Sequence, residues 1–104
     1  MSINISLAGE PTGNRRFEAQ VNDLLARMTI AEKIGQMSQV NAADGTIPDS
    51  LREAIQAGRI GSILNQVNVD VVNEMQRIAV EESRLGIPLL MGRDVIHGFR
   101  TVLP

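Results

Sequence analysis

The sequence predicts an α/β fold built on a parallel sheet. Apolar runs of strand length alternate with stretches of helical spacing, and glycine or proline punctuates most of the junctions. Alternating strands and helices mean right-handed parallel βαβ units. The densest set of ionisable side chains, Arg93, Asp94, His97 and Arg100, directly follows one of the apolar runs. Parallel α/β sheets place their sites at the carboxyl ends of their strands. Fold class and candidate site thus point to the same stretch, Gly86 to Pro104.

In chain order, residues 1–16 are polar and broken by Gly9, Pro11 and Gly13, and read as an amino-terminal arm. Residues 17–104 form the folded unit. Phe17, Val21, Leu24, Leu25 and Met28 lie on one helical stripe, expected to face the core. Thr29-Ile-Ala-Glu32 matches a capping box and starts a second helix presenting Ile30, Ile34 and Met37. Met37 to Val40 can pass into a short strand, and Asn41 to Asp49 reads as a loop. Asp49 or Ser50 caps a third helix through Leu51, Ala54 and Ile55, with Gly58 as its left-handed stop.

Ile60 to Leu64 is a second run of strand length, followed by a polar loop, Asn65 to Asn68. Asn68 or Asp70 caps the next helix, expected to be the longest. Its face is marked by Val69, Val72, Met75, Gln76, Ala79, Val80 and Leu85, and Gly86 ends it. Glu81 and Glu82 in its last turns read as a solvated face. Gly-Ile-Pro then opens the last strand, through Leu89, Leu90 and Met91. The unit from Ile60 to Met91 is the best-defined βαβ crossover.

Composition narrows the function classes. The chain has 104 residues, enough for one domain, and is 43% hydrophobic and 21% charged, as ordinary globular chains are. Its net charge of −2 gives no basic footprint for nucleic acid. With two Phe and no Trp or Tyr, the chain is short of the aromatic faces that stacking platforms for sugars, bases or choline-like cations need. There is no cysteine, which removes disulfides and thiolate metal sites. No run approaches the ~20 apolar residues of a membrane span. The first residues lack a basic and apolar secretory signal, so the expectation is a cytoplasmic protein, with a trimmed, exported parent as the alternative.

No phosphate loop, HExxH or nucleophile-elbow pattern occurs, and Gly58-Arg-Ile-Gly61 reads as a helix stop before a strand. His97 is the single histidine and has no cysteine or second histidine to share a metal, so neither metal nor cofactor is expected. Asp94 stands out. Strand alternation puts it on one face with Leu90 and Gly92, and Gly92 leaves space beneath its carboxylate. Two readings stay open: a ligand-binding carboxylate, or an ion-pair partner of Arg93, Arg100 or His97.

Gly86 to Thr101, with Leu85-Gly-Ile-Pro-Leu-Leu and Gly92-Arg-Asp-Val-Ile-His-Gly-Phe-Arg-Thr, resembles the amino-terminal barrel domain of family 3 glycoside hydrolases of bacterial β-glucosidase type. Leu24-Leu-Ala-Arg-Met-Thr, Glu32-Lys-Ile-Gly-Gln-Met, Arg52 to Ser62 and Asn73 to Arg84 extend the likeness over residues 17–104. The resemblance implies the amino-terminal portion of a (β/α)8 barrel and retaining hydrolysis of terminal β-glucosyl residues. It also implies that Asp94 binds sugar hydroxyls in the −1 subsite, with His97 and Arg100 supporting the loop.

That family's Lys-His pair, its Asp nucleophile and its Glu acid/base have no counterpart before Pro104, and Leu103 replaces a usual Phe. A complete barrel takes ~250 residues. The chain is therefore expected to be a partial barrel, inactive alone, with no catalytic residue of its own. Its substrate would be a β-glucoside or oligosaccharide bound by the full-length parent. Self-association through unclosed sheet edges is expected. A small non-enzymatic α/β binding or assembly module is the alternative.

Overall fold

The computed structural model describes residues 12–96. Three parallel strands, β1 (Gln39–Asn41), β2 (Ser62–Leu64) and β3 (Leu90–Gly92), lie in the order β1-β2-β3. Helix α3 (Asp49–Gln56) connects the first pair, and α4 (Val69–Arg77) the second. Two helices, α1 (Thr12–Arg27) and α2 (Ile30–Gln36), precede the sheet. The parallel βαβ alternation is the one read from the sequence.

The register aligns Val40, Ile63 and Met91 across the three strands. Ile63 is fully buried, and Val40 and Met91 pack against the core it joins with Ile55, Ile60, Val71, Met75, Ile78, Ala79 and Leu89. The alternate rows hold Gln39, Ser62 and Leu90, then Asn41, Leu64 and Gly92. Successive strand residues face opposite sides, and none of this second set is buried. Leu90 is 75% exposed. Helices thus cover one face of the sheet, and the other is open among the described residues.

Helix boundaries follow local chemistry. The Glu32 amide donates to the Thr29 hydroxyl at 3.1 Å, and the Thr29 amide donates to the Glu32 carboxylate at 3.0 Å, completing the capping box. Asn68 caps α4 by accepting from the Asp70 and Val71 amides. Gly58 takes φ +71° after α3, where a side chain would be strained. The cap of α3 differs from expectation. Pro48 occupies it, without a side-chain bond, and its carbonyl accepts from the Leu51 and Arg52 amides.

Three further expectations are corrected. The α1 stripe does not face the core: Phe17 is 63% exposed, and Val21 and Leu25 are also exposed. On α2, Ile30, Ile34 and Met37 are exposed as well, because its only buried residue is Gly35, pressed on the Gly58 carbonyl. An apolar trough of about 410 Å³ lies between the two helices, lined by Val21, Leu24, Met28 and Met37. Last, α4 is shorter than α1, at 9 residues against 16.

The buried face of α4 is also rotated from the expected one. Val71, Met75, Ile78 and Ala79 are buried, at i, i+4, i+7 and i+8, while Val69 and Val80 are exposed. After Arg77 the backbone widens into a π-helical turn, Ile78–Glu82. Gln76 reaches from α4 to the start of β3. Its Nε2 donates to the Leu89 carbonyl at 2.7 Å, and its Oε1 accepts the Leu89 amide at 2.8 Å. This amide pair extends the backbone pairing of the strand by one residue.

Glu81 and Glu82 are exposed but engaged. Arg77 donates to Glu74, Glu81 and Glu82, and Gln56 donates to Glu82 at 2.7 Å. The Gln56 bond first, then Arg77, lowers the Glu82 pKa. Glu82, read with Glu81 as a solvated face, therefore ties α3 to the end of α4.

Candidate functional site

The parallel strands bring Asn41, Asn65, Arg93 and Asp94 together at their carboxyl ends. Asn65 follows β2 with φ +72°, in the left-handed region that asparagine tolerates better than most residues. Its amide donates to the Gly92 carbonyl at 2.8 Å, so the β2–β3 ladder continues past Leu64. Its Nδ2 donates to Asn41 Oδ1 at 3.3 Å, and its Oδ1 accepts the Asp94 amide at 3.0 Å. Arg93 Nη1 donates to its carbonyl at 3.2 Å. One residue thereby holds the ends of all three strands.

Asp94 is exposed, and its Oδ1 accepts the Ile96 amide at 3.1 Å in a local turn. Among the described residues its Oδ2 has no hydrogen-bond partner, and the carboxylate makes no ion pair with them. The carboxylate can therefore accept further hydrogen bonds from a ligand. His97 and Arg100 lie outside the described residues. A Cβ at Gly92 would meet Leu64 Cδ1 at 3.5 Å, an ordinary contact, so the position has room for a methyl group.

The next residue, Gln66, is buried, at 7% exposure. Its Nε2 donates to the Ala42 and Asp44 carbonyls at 2.7 and 2.6 Å, and its Oε1 accepts the Asn68 amide at 3.0 Å. It fastens the β1–α3 loop to the start of α4 beside the strand ends. Sequence reasoning had placed Asn65 and Gln66 in a polar loop. The one signal for Asn65 was an asparagine directly after a strand, where a left-handed residue turns the chain away. Gln66 carried none.

Two concavities among the described residues are lined without Asp94. The trough between α1 and α2 and a cavity of about 30 Å³ beside Gly58 and Leu89 both lie toward the amino ends of the strands. Among the described residues no three His, Cys, Asp or Glu side chains group as a metal site. None of their helices is long and apolar enough to cross a membrane.

Residues 29–104 match the Glycosyl hydrolase family 3 N terminal domain. The chain belongs to this family. All of it aligns with the periplasmic beta-glucosidase of Salmonella typhimurium, 41% identical over 115 residues, and spans 15% of that protein. The lysosomal beta glucosidase of Dictyostelium discoideum is 32% identical over 101 residues, covering 75% of the chain and 12% of the relative. Among solved structures, a beta-glucosidase from Listeria innocua in complex with isofagomine superposes with a TM-score of 0.62. It shares 30% identity, over 84% of this chain and 13% of that one. The parallel strands and crossover helices are accordingly a part of a family 3 barrel, as the resemblance implied.

Proposed function

We propose that this family 3 segment forms part of the sugar-binding wall of a β-glucosidase, with Asp94 accepting hydrogen bonds from hydroxyls of a terminal β-glucosyl residue. The observation that carries the reading is Asp94 at the carboxyl end of β3, its amide fixed by Asn65 and its Oδ2 without a protein partner among the described residues. The names of the Salmonella and Listeria proteins support the substrate class. Retaining hydrolysis needs two carboxyl groups about 5–5.5 Å apart across the scissile bond. In this proposal the rest of a longer enzyme supplies them, His97 and Arg100 support the Asp94 loop, and the 104-residue chain alone does not turn over.

The test exchanges this segment for the one it aligns with in the Salmonella enzyme and compares Asp94→Asn with the unsubstituted exchange. Hydrogen bonds to charged groups contribute ~1.5–3 kcal/mol each, so losing one or two lowers kcat/KM by roughly ten-fold to more than ten-thousand-fold. The thermal midpoint should stay close to the parent value. A lowered midpoint with unchanged kcat/KM would refute the subsite role and leave Asp94 a structural residue.

A second reading, a non-enzymatic assembly module, draws on the open sheet face that carries Leu90. Turnover of an aryl β-glucoside by the exchanged enzyme counts against it. For compartment, the periplasmic name of the Salmonella relative supports an exported parent enzyme over a cytoplasmic one. Cell fractionation decides between them.

A further inference from the structure

We propose that Asn65 is a positioning residue for Asp94, setting where that carboxylate meets the sugar; the proposal rests on the subsite reading of Asp94. The Asp94 amide donates to Asn65 Oδ1 at 3.0 Å, a bond that anchors its backbone to the neighbouring strand end. Asn65 is itself fixed from three sides. Its left-handed backbone is held by the Gly92 carbonyl at 2.8 Å, its carbonyl receives Arg93 at 3.2 Å, and its Nδ2 is held by Asn41 at 3.3 Å.

The chemistry needs an asparagine. The position requires positive φ, which glycine and asparagine adopt most readily. It also requires an acceptor toward Asp94 and a donor toward Asn41 on one short side chain, and a carboxamide offers both. Glycine would keep the backbone and lose both bonds. Aspartate would keep the acceptor and lose the donor. A carboxylate whose backbone drifts by an ångström presents its oxygens to different hydroxyls, and misplacement on that scale can cost about 100-fold in rate.

The experiment uses the Salmonella enzyme carrying this segment, with Asn65→Gly, Asn65→Asp, Asp94→Asn and the double variant Asn65→Gly/Asp94→Asn. We expect Asn65→Gly to lower kcat/KM on an aryl β-glucoside about 10- to 100-fold, and Asn65→Asp to recover most of that loss. In the Asp94→Asn background, Asn65→Gly should cost little more, since nothing remains to position. A large loss for Asp94→Asn with none for Asn65→Gly, or strictly multiplicative losses, overturns the positioning role while leaving the subsite reading intact. An unchanged Asp94→Asn enzyme overturns both. The 104-residue chain supplies an independent readout: amide exchange at Asp94 should speed up in Asn65→Gly and stay slow in Asn65→Asp. Unchanged exchange in Asn65→Gly also overturns the proposal.

Discussion

Glu32 and Arg84, 52 residues apart in sequence, meet in a two-oxygen ion pair: Arg84 Nε donates to Oε1 at 2.8 Å and Nη2 to Oε2 at 2.6 Å. The same guanidinium donates to the Arg27 carbonyl at 2.8 Å, at the end of α1. The same carboxylate closes the capping box of α2. A single contact therefore joins both leading helices to the segment that enters β3.

This contact makes stability depend on acid. The Arg84 bond first, then the Thr29 amide, lowers the Glu32 pKa from 4.5 to about 2. Arg77 chiefly does the same for Glu74, also to about 2. Both groups bind protons more weakly in the folded chain, so their contribution is full above about pH 4.5 and is lost as pH falls toward 2. The thermal midpoint of the chain, followed from pH 7 downward, should fall across that window. Glu32→Gln should lower the midpoint at pH 7 and shrink its acid dependence. An unchanged pH profile in Glu32→Gln would show that the pair contributes nothing.

Gly35→Ala should destabilise severely. A Cβ there would collide with the Gly58 carbonyl oxygen and approach Arg59 Cα to 2.9 Å, and backbone atoms cannot swing aside. Overpacking costs typically ~1–3 kcal/mol, and this site should fall at or beyond the upper end. Gly45→Ala, with nothing within 4 Å, serves as the neutral control. Urea melts of both variants check the contrast.

Met75→Ala should cost ~2–5 kcal/mol, the range for emptying a fully buried site, since Met75 is 0% exposed. Val69→Ala, at a position 69% exposed, should stay within about 0.5 kcal/mol. Equal losses at the two positions would mean that α4 packs by its other face.

The contrast marks what could be read beforehand. The capping box at Thr29, the stop at Gly58 and the cap at Asn68 depend on contacts within a few residues, and all three were legible. The strand alternation was legible too, because short apolar runs between helices leave few other arrangements. The face of α4 was not, since valines at 69, 71, 72 and 80 surround the helix with apolar positions. Choosing among them takes the sheet it packs on. The exposed stripes of α1 and α2 mislead for a related reason: spacing reveals an apolar face, and only three-dimensional neighbours reveal whether it is covered. At the site, the sequence singled out Asp94. Asn65 came into view only when strands distant in the chain lay side by side.

Self-association of the isolated chain should follow from its uncovered surfaces. Ile30, Met37 and Leu90 are each at least three-quarters exposed, at 77%, 79% and 75%. Among the described residues β1 and β3 each pair along one side only, and exposed sheet edges recruit other chains. Sedimentation velocity should give species above the 11.3 kDa monomer that grow with concentration. A single monomeric boundary across a hundred-fold concentration range, a span of about 2.7 kcal/mol in association, would refute this.

The π-helical turn at Ile78–Glu82 gives the crossover a fixed phase. A π turn holds one more residue than the α turn it replaces, and each α-helical residue rotates the chain by about 100°. Deleting Val80, though it is exposed, would regularise the helix and swing everything after it around the axis. Arg84 would leave Glu32, and Leu89 would leave the Gln76 amide that seats β3. The length of this connection is therefore not freely adjustable. Length changes among related chains should spare the span from Arg77 to Leu89 and collect instead just after Gly45, past the Asp44 carbonyl that Gln66 holds.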